Sequence, residues 1–324
     1  MHSIGRRQRW AWMAAGLSAA IGACACGMSW LWVLAGGLAA SLFDLYLDRC
    51  LRPCGLAAVL SASFGGLGRF LAALTLIWTI LVMAWTANLA DAAFPMIDGF
   101  PILGWTLLAL TAWGSWKGSA ACARCAGVLF LFLAALYGLL AAFALPDVEW
   151  SNLRPAGPWE QSLWAMGLFL LPTGVWYGPS RRGERKPSWA LFLLLPLLAA
   201  LLAAVACGVL SPELAAVLDA PLYTVAQSVS LFGVMERMEP LLSAAMTMGV
   251  FCLLSSMACA CRALANRKWT GPAACLLAAL AMGPARRIPL PILTLGAILF
   301  WFLIPMITVL ISRRLQSPSP RTTM

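Results

Sequence analysis

The sequence predicts an all-α polytopic membrane protein with about ten transmembrane helices. Of its 324 residues, 62% are apolar and only 10% are charged, whereas an ordinary soluble domain has about 25% charged residues. The mean hydropathy is +0.86. When the apolar stretches are taken as spans, 18 of the 22 Lys and Arg residues fall on one side of the membrane. Short loops rich in Lys and Arg stay in the cytoplasm, so this asymmetry sets the topology.

Ten apolar stretches approach the length of about 20 residues that crosses the hydrocarbon layer. In chain order the predicted spans are residues 10–26, 30–47, 70–89, 101–116, 126–145, 161–177, 189–210, 241–261, 271–283 and 290–311. Several Trp residues lie near the span ends, where an amphipathic ring suits the membrane interface. An Arg-rich start before the first span resembles a signal peptide, but the chain continues into a second apolar span, which disfavours cleavage.

Most of the basic residues fall in predicted loops and tails on one side of the membrane. Both termini lie on that side, so both are predicted to be cytoplasmic. These residues are Arg6, Arg7, Arg9, Arg49, Arg52, Arg69, Lys117, Arg124, Arg181, Arg182, Arg185, Lys186, Arg262, Arg267, Lys268, Arg313, Arg314 and Arg321. Most acidic residues fall on the other side. The net charge of +10 is therefore a topology signal, and nucleic-acid binding is disfavoured.

Eleven Cys residues raise the question of a metal or redox site. Cys50 and Cys54, and Cys122 with Cys125, are closely spaced, but both pairs fall in predicted cytoplasmic loops, where thiols stay reduced. The only His is residue 2. We therefore expect no metal site and no cofactor, and we expect most other Cys residues to pack inside spans.

The chain lacks the residues that membrane enzymes and proton pumps use. Asp44 is the one acid well inside a predicted span, and intramembrane charge normally marks such activities. No HExxH motif or phosphate-binding glycine loop is present,. An enzyme is disfavoured, and a substrate would be bound by backbone groups and hydroxyls, as in transporters with broken helices.

Two spans contain residues that allow a helix to open. The first holds Gly16, Gly22 and Gly27, and the sixth holds Gly167 followed by Pro172, Thr173 and Gly174. Glycine permits unusual backbone angles and proline removes an amide donor. The third span also carries a polar face, with Thr79 and Thr86, and the eighth span carries one with Thr247. These hydroxyls either line a substrate site or make helix-packing contacts.

A segment at about 211–240 is predicted to form one or two helices on the extracellular face. Within it, the run from Pro221 through Val229-Ser230 to Glu236-Arg237-Met238-Glu239 resembles the extracellular segment of the spore germination permeases, the B subunits of nutrient germinant receptors. The stretch Asp147 to Pro155, with Ser151-Asn152-Leu153, is similar to that family's loop after the fifth span. Ser29-Trp30-Leu31 resembles its entry into the second span.

The resemblance implies a member of the amino acid/polyamine/organocation superfamily with a LeuT-like fold. That fold has two inverted five-helix repeats with broken helices 1 and 6. The whole chain, residues 1–324, would be one permease-like domain, with repeats at about 10–145 and 160–311 and short cytoplasmic tails. It also implies the inner membrane of a bacterial endospore as the location. The implied partners are a larger membrane-spanning A subunit, a lipoprotein C subunit, the lipid bilayer and a small nutrient, often an amino acid.

The chain departs from the family where the substrate site is expected. Both the stretch before Trp30 and the stretch before Glu160 are about ten residues shorter than the family pattern. The losses fall in the outer halves of helices 1 and 6. The predicted substrate-binding residues are Gly22, Cys24, Thr79, Thr86, Glu160, Gly167, Pro172, Thr173, Gly174 and Thr247. The family-like extracellular residues are Asn152, Pro155, Pro221, Glu236, Arg237 and Glu239.

Three function classes follow from these observations. The first is a germinant-receptor subunit that binds a nutrient and signals to its partners by shifting between two states. The second is an amino-acid secondary transporter of the same superfamily. The third, a membrane enzyme, has the least support.

Overall fold

A computed structural model describes residues 4–50, 55–92, 102–154, 157–178, 189–218, 220–228 and 239–316. Within these ranges the α-helices are α1 (Arg6–Ala23), α2 (Trp30–Cys50), α3 (Leu56–Ala92), α4 (Ile102–Lys117), α5 (Ser119–Ala144), α6 (Glu160–Leu170), α7 (Trp189–Leu210), α8 (Pro212–Val217), α9 (Pro221–Ser228), α10 (Glu239–Ala265), α11 (Thr270–Ala285), α12 (Leu290–Ile298) and α13 (Ile304–Gln316). A π-helical segment, Leu299–Leu303, joins α12 to α13.

The predicted all-α membrane fold is confirmed, and the described helices follow the predicted spans in order. Six of them are long and apolar enough to cross a bilayer: Trp30–Cys50, Ala62–Asp91, Ser119–Asp147, Phe192–Leu210, Glu239–Ala265 and Leu290–Ser312. The count of ten spans stays a prediction. Helix α3 extends beyond the predicted third span, because it begins at Leu56 and continues across a kink at Gly65, where φ is 53°.

Helix 1 was predicted to open at its glycines, and this is wrong for the part inside α1. The helix stays α-helical from Arg6 to Ala23, through Gly16 and Gly22. It ends at Cys24 and passes into a short 3-10 turn, Ala25–Gly27. The glycines instead allow close packing: a Cβ on Gly22 would lie 2.9 Å from the Tyr137 hydroxyl oxygen.

Helix 6 does change its geometry at the predicted place. The α-helix α6 ends at Leu170, and the chain continues as a 3-10 helix over Leu171–Tyr177 with Pro172 in its first turn. Proline has no amide hydrogen, so the α-helical hydrogen bond at this position cannot form. All seven residues of the 3-10 segment are buried, so this irregular backbone lies inside the protein, as a membrane fold requires.

The helices pack in two groups with α1 between them. Helix α2 packs on α6 and α7, whereas α3, α4, α10 and α11 pack on one another. Helix α1 lies against α10 and α5. Small residues permit the close contacts, as is usual between membrane helices. A Cβ on Gly36 of α2, for example, would lie 2.7 Å from the backbone nitrogen of Met166 in α6.

The chain direction alternates along the helices, so the bundle has two ends. We name the end that carries Arg6, Arg49, Lys117, Arg262 and Lys268 the basic end. Apart from Asp44 and Asp48, the described carboxylates lie at the opposite end, which we name the acidic end; they are Asp91, Asp147, Glu149, Glu160, Glu213 and Glu239.

Part of the predicted extracellular segment is described. It contains two short helices, α8 and α9, at the acidic end. Pro221 begins α9 and Glu239 begins α10. Glu236, Arg237 and Pro155 lie outside the described residues.

Cys122 and Cys125 lie in the first turns of α5, and their predicted loop position is wrong. Cys122 is buried, and its sulfur is 3.9 Å from that of Cys259 in α10. Gly118, with φ 112°, turns the chain sharply after α4, so the loop there is shorter than the hydropathy pattern indicated. Cys50 ends α2, and Cys54 lies outside the described residues.

Candidate functional site

Helix α1 meets α10 along a seam of small residues. A Cβ on Gly249 of α10 would lie 2.7 Å from the Ser18 hydroxyl oxygen and 3.0 Å from the Ala19 backbone nitrogen. A Cβ on Gly16 would lie 3.2 Å from Cα of Leu253. The two backbones therefore approach each other as closely as helices with glycine at the contact can.

An indole fixes the same seam nearer the basic end. Trp12 Nε1 donates to the carbonyl oxygen of Cys252 at 2.9 Å and to Oγ of Ser255 at 3.0 Å. The Ser255 hydroxyl in turn donates to the Cys252 carbonyl at 2.8 Å. Trp12 is fully buried, so its single polar atom is satisfied entirely by α10.

The 3-10 segment of helix 6 also faces α10. A Cβ on Gly174 would lie 3.1 Å from the carbonyl oxygen of Ser256. Beside it, the hydroxyl of Thr173 is buried without a hydrogen-bond partner among the described residues. A threonine inside an α-helix can donate to the backbone carbonyl four residues earlier. The tighter 3-10 backbone moves that carbonyl away, so the Thr173 hydroxyl lacks this bond.

Helix α3, which contacts the 3-10 segment, carries a second such hydroxyl. Thr79 donates to the carbonyl of Thr75 at 2.7 Å, and Thr247 of α10 donates to that of Ser243 at 2.8 Å. Thr86 is fully buried, yet its hydroxyl has no partner among the described residues. Thr86 and Thr173 are thus two predicted site residues that keep free hydrogen-bonding capacity, which a polar ligand could use.

A cavity of about 220 Å³ opens at the basic end, between helices 1 and 6 on one side and α4, α5 and α10 on the other. Its lining residues are Ile4, Trp12, Lys117, Gly118, Ser119, Ala120, Gly174, Val175, Gly178, Cys259, Arg262, Ala263 and Lys268. Arg262 Nη1 donates to the carbonyls of Ser115 at 2.6 Å and Trp116 at 3.2 Å, and so ties α10 to the end of α4. Space therefore remains at this end between helices 1 and 6 and helices α4, α5 and α10.

Buried charges join helices 1, 2 and 6 beside this cavity. Trp176 Nε1 donates to Asp44 Oδ1 at 2.8 Å, and the Arg9 guanidinium lies 4.9 Å from the centre of the Trp176 ring. Arg6 and Asp48 form an ion pair at 3.3 Å. Asp48 was placed outside the second span, but α2 continues to Cys50 and buries it. These pairs fasten the basic ends of α1 and α2 to the end of helix 6.

The predicted substrate residues do not converge on one cavity. Among them, Gly174 alone lines the cavity at the basic end. Gly167 packs on Thr294 of α12, and Gly22 packs on Tyr137 of α5. Cys24 is half-buried at the end of α1, Glu160 is exposed at the start of α6, and Pro172 is buried in the 3-10 segment. The role of all these residues in binding stays a prediction.

Sequence reasoning missed Trp12 and the ion pair of Arg6. Trp12 stands one turn after Arg9 in a span of mostly small residues, and this position was the available sign of a packing contact. The partners of these residues are 42 to 243 positions away in the chain, and the sequence contains no local sign of them.

The long apolar helices define a class, the integral membrane proteins, and the irregular helix 6 is buried in their bundle. Solved structures agree. The chain resembles Mhp1, a nucleobase-cation-symport-1 family transporter in a closed conformation with bromovinylhydantoin bound, with 14% identity and a TM-score of 0.61 over 95% of this chain and 78% of that one. It also resembles a substrate-bound, outward-open Na⁺-coupled sialic acid symporter, with 13% identity and a TM-score of 0.52 over 94% and 77% of the two chains.

These neighbours are LeuT-fold transporters, so the chain has that type of fold. No protein-family model matches the chain, and no curated protein matches it significantly. At such low identity the likeness is one of fold.

Proposed function

We propose that this protein is a secondary-transporter-type permease that binds a small nutrient in a crevice that opens between helices 1 and 6 and helices α3 and α10 during transport. The observation that carries the proposal is the 3-10 segment of helix 6, which is buried against α10 and leaves the Thr173 hydroxyl unpaired. The Thr86 hydroxyl on the contacting helix α3 is unpaired as well. Proteins that break a helix at mid-membrane use the freed polar groups to bind substrates.

Uptake into proteoliposomes tests this function. The purified protein is reconstituted, and labelled amino acids are supplied under a Na⁺ or a proton gradient. We expect saturable uptake of at least one of them, collapsed by an ionophore. The transporter reading fails if no amino acid accumulates under either gradient.

A matched pair of variants locates the site. Thr173→Val keeps the side-chain shape and removes the hydroxyl, so the apparent affinity should fall about three- to tenfold, the loss expected for one hydrogen bond. Thr106→Val removes a hydroxyl that is exposed and bonded within its own helix, and it should leave uptake unchanged. Equal uptake by both variants would separate Thr173 from the site.

A second proposal is the B subunit of a spore germinant receptor, acting in the inner membrane of an endospore beside an A subunit and a lipoprotein C subunit. Its support is the sequence resemblance, together with a structural role for one residue of the resembling loop. Asn152 Nδ2 donates to the carbonyl of Gly208 at 3.3 Å and so fastens the loop to the end of α7. In this role the protein would sense a nutrient, with the amino-acid transporter as the alternative.

Germination of spores that lack this chain separates the two proposals. Spores of the deletion and complemented strains are exposed to single amino acids, sugars and nucleosides. Loss of response to one nutrient class, restored by complementation, would support the sensor. An unchanged response together with gradient-driven uptake in proteoliposomes would leave the transporter.

A further inference from the structure

A second cavity, of about 210 Å³, lies at the acidic end, apart from the proposed crevice between helices 1 and 6 and helices α3 and α10. We name it the acidic-end cavity. It is formed where the turn between α1 and α2, the loop before α6, the end of α7 and the short helix α8 meet. Its lining residues are Gly27, Met28, Ser29, Trp30, Arg154, Gly157, Gln161, Cys207, Pro212, Glu213 and Ala216.

Hydrogen bonds between distant parts of the chain hold the walls of this cavity. Trp30 Nε1 donates to the carbonyl of Leu153 at 2.9 Å, and the Ser29 amide donates to Gln161 Oε1 at 2.9 Å. Trp32 Nε1 donates to the carbonyl of Gly157 at 3.2 Å. The start of α2 is thus joined to the loop and first turn of helix 6, and the cavity has a preformed shape. Preformed walls reduce the entropy lost when a ligand binds.

The cavity carries one side chain of each charge. Arg154 follows the 3-10 turn Trp150–Leu153, and Glu213 lies in the first turn of α8. No salt bridge joins these two described side chains, although both line the same space. A guanidinium is suited to bind a carboxylate, and a carboxylate is suited to bind an ammonium group. The two charges together match a ligand that carries both.

The rest of the lining offers few other polar contacts. Ser29 lines the cavity, but its hydroxyl oxygen is closed off from it and has no hydrogen-bond partner among the described residues. Gln161 is polar, and its Oε1 already accepts a hydrogen bond from the Ser29 amide. The other lining residues are small or apolar, so binding would depend on Arg154 and Glu213.

The volume restricts the size of the ligand. It corresponds to about seven water molecules at their share of liquid volume, and it is below the range of about 300–1,000 Å³ typical of drug-sized ligands. We propose that the acidic-end cavity binds a small zwitterion of the free α-amino-acid class, with its carboxylate at Arg154 and its ammonium group at Glu213. This site is separate from the crevice of the proposed function.

Binding of the standard amino acids to the purified protein in lipid nanodiscs, measured by titration calorimetry, tests the proposal. For L-alanine or another amino acid that binds, the propionate-type acid and the amide or amine analogue are titrated beside it, since each carries one of the two charges. We expect saturable binding of the zwitterion and at least about tenfold weaker binding of both analogues, because each lacks one charge-assisted contact.

Charge-neutralising variants assign the binding to this cavity. Arg154→Gln and Glu213→Gln should each weaken binding about tenfold or more. Arg287→Gln and Asp147→Asn are matched controls, because both residues are exposed at the same end and neither lines the cavity. Thermal unfolding of each variant checks that it is folded.

Three results would overturn the proposal. They are the absence of saturable amino-acid binding in the millimolar range, equal binding of the acid analogue, and binding that both Arg154→Gln and Glu213→Gln leave unchanged. The outcome is independent of the transport assay. If Thr173→Val abolishes uptake while Arg154-dependent binding persists, the acidic-end site stands by itself; if uptake is absent altogether, the same binding measurement still decides it.

Discussion

At the scale of residues, Trp12 joins α1 to α10 through one indole N–H. That group serves both the Cys252 carbonyl and the Ser255 hydroxyl. In a bilayer, helices gain little from hydrophobic burial against each other, so packing and interhelical hydrogen bonds carry much of the association. A single aromatic residue therefore contributes both kinds of contact to the seam.

Replacing Trp12 with Phe keeps the ring and removes the donor. We expect the free energy of unfolding to fall by about 0.5–1.5 kcal/mol, because two buried acceptors on α10 lose this partner. Thermal unfolding in detergent measures the effect. Trp159→Phe is the control, since Trp159 is 60% exposed. Equal melting temperatures for the two variants would show that the Trp12 hydrogen bonds add no net stability.

Asp44 accepts a hydrogen bond from Trp176 inside the helix bundle. Asp44→Asn retains an oxygen acceptor and should stay within about 1 kcal/mol of the parent protein. Asp44→Leu leaves the indole N–H of a fully buried Trp176 without an acceptor and should cost about 1–3 kcal/mol. Denaturation in detergent distinguishes them. If Asp44→Leu and Asp44→Asn had equal free energies of unfolding, the hydrogen bond from Trp176 would add no net stability.

The position of Asp44 was predictable, but its partner was not. A single acid among apolar residues stands out in any hydropathy pattern, since burying it is costly. Trp176 lies 132 positions away, and the chain has 16 Trp residues that share the same aromatic pattern. Ser29, Arg154 and Glu213 were missed as a set for a similar reason, because three separate elements bring them together.

At the scale of helices, glycine has two uses that a sequence does not distinguish. In α1 it allows close approach to α10, and the helix remains intact. In helix 6 the neighbouring proline adds a chemical reason for the break, because it cannot donate a hydrogen bond. The break at Pro172 could therefore be predicted, whereas the one expected at Gly16 and Gly22 could not be excluded without the contacts of the folded chain.

Adding a methyl group to the seam between α1 and α10 should separate the helices. Gly249→Ala would place Cβ 3.0 Å from the Ala19 backbone nitrogen, and such overpacking typically costs about 1–3 kcal/mol. Gly127→Ala in α5 is the matched control, because nothing lies within 4 Å of its added Cβ. Melting temperatures in detergent compare them. An unchanged Gly249→Ala protein would contradict the tight seam.

At the scale of the whole molecule, helix order and one-sided charge were predictable because both are local properties of the sequence. The alternating direction of the described helices places Lys117, Arg262 and Lys268 together at the basic end. How α1 sits between the two packed groups was not predictable, because that arrangement depends on shape complementarity between helices far apart in the chain.

Reporter fusions test the orientation. We expect the basic end to be cytoplasmic, as the distribution of Lys and Arg predicts. Green fluorescent protein fused after Lys268 should be fluorescent, and alkaline phosphatase fused after Leu153 should be active in a bacterial host. The exchanged pair of fusions is the control and should be inactive. Activity in the reverse pattern would invert the topology.

Helices α4 and α11 pack on each other and are unusually short for a membrane protein. Each has 16 residues, or about 24 Å, against a hydrocarbon layer of about 30 Å. Their outward surfaces carry Trp113, Leu276 and Leu280 exposed to the surroundings. If both helices cross the bilayer, as the ten-span prediction has it, lipid acyl chains beside this pair must shorten or splay, which is a hydrophobic mismatch. A thinner bilayer reduces the mismatch. The free energy of the α3–α4–α10–α11 group would then depend on the thickness of the membrane around it.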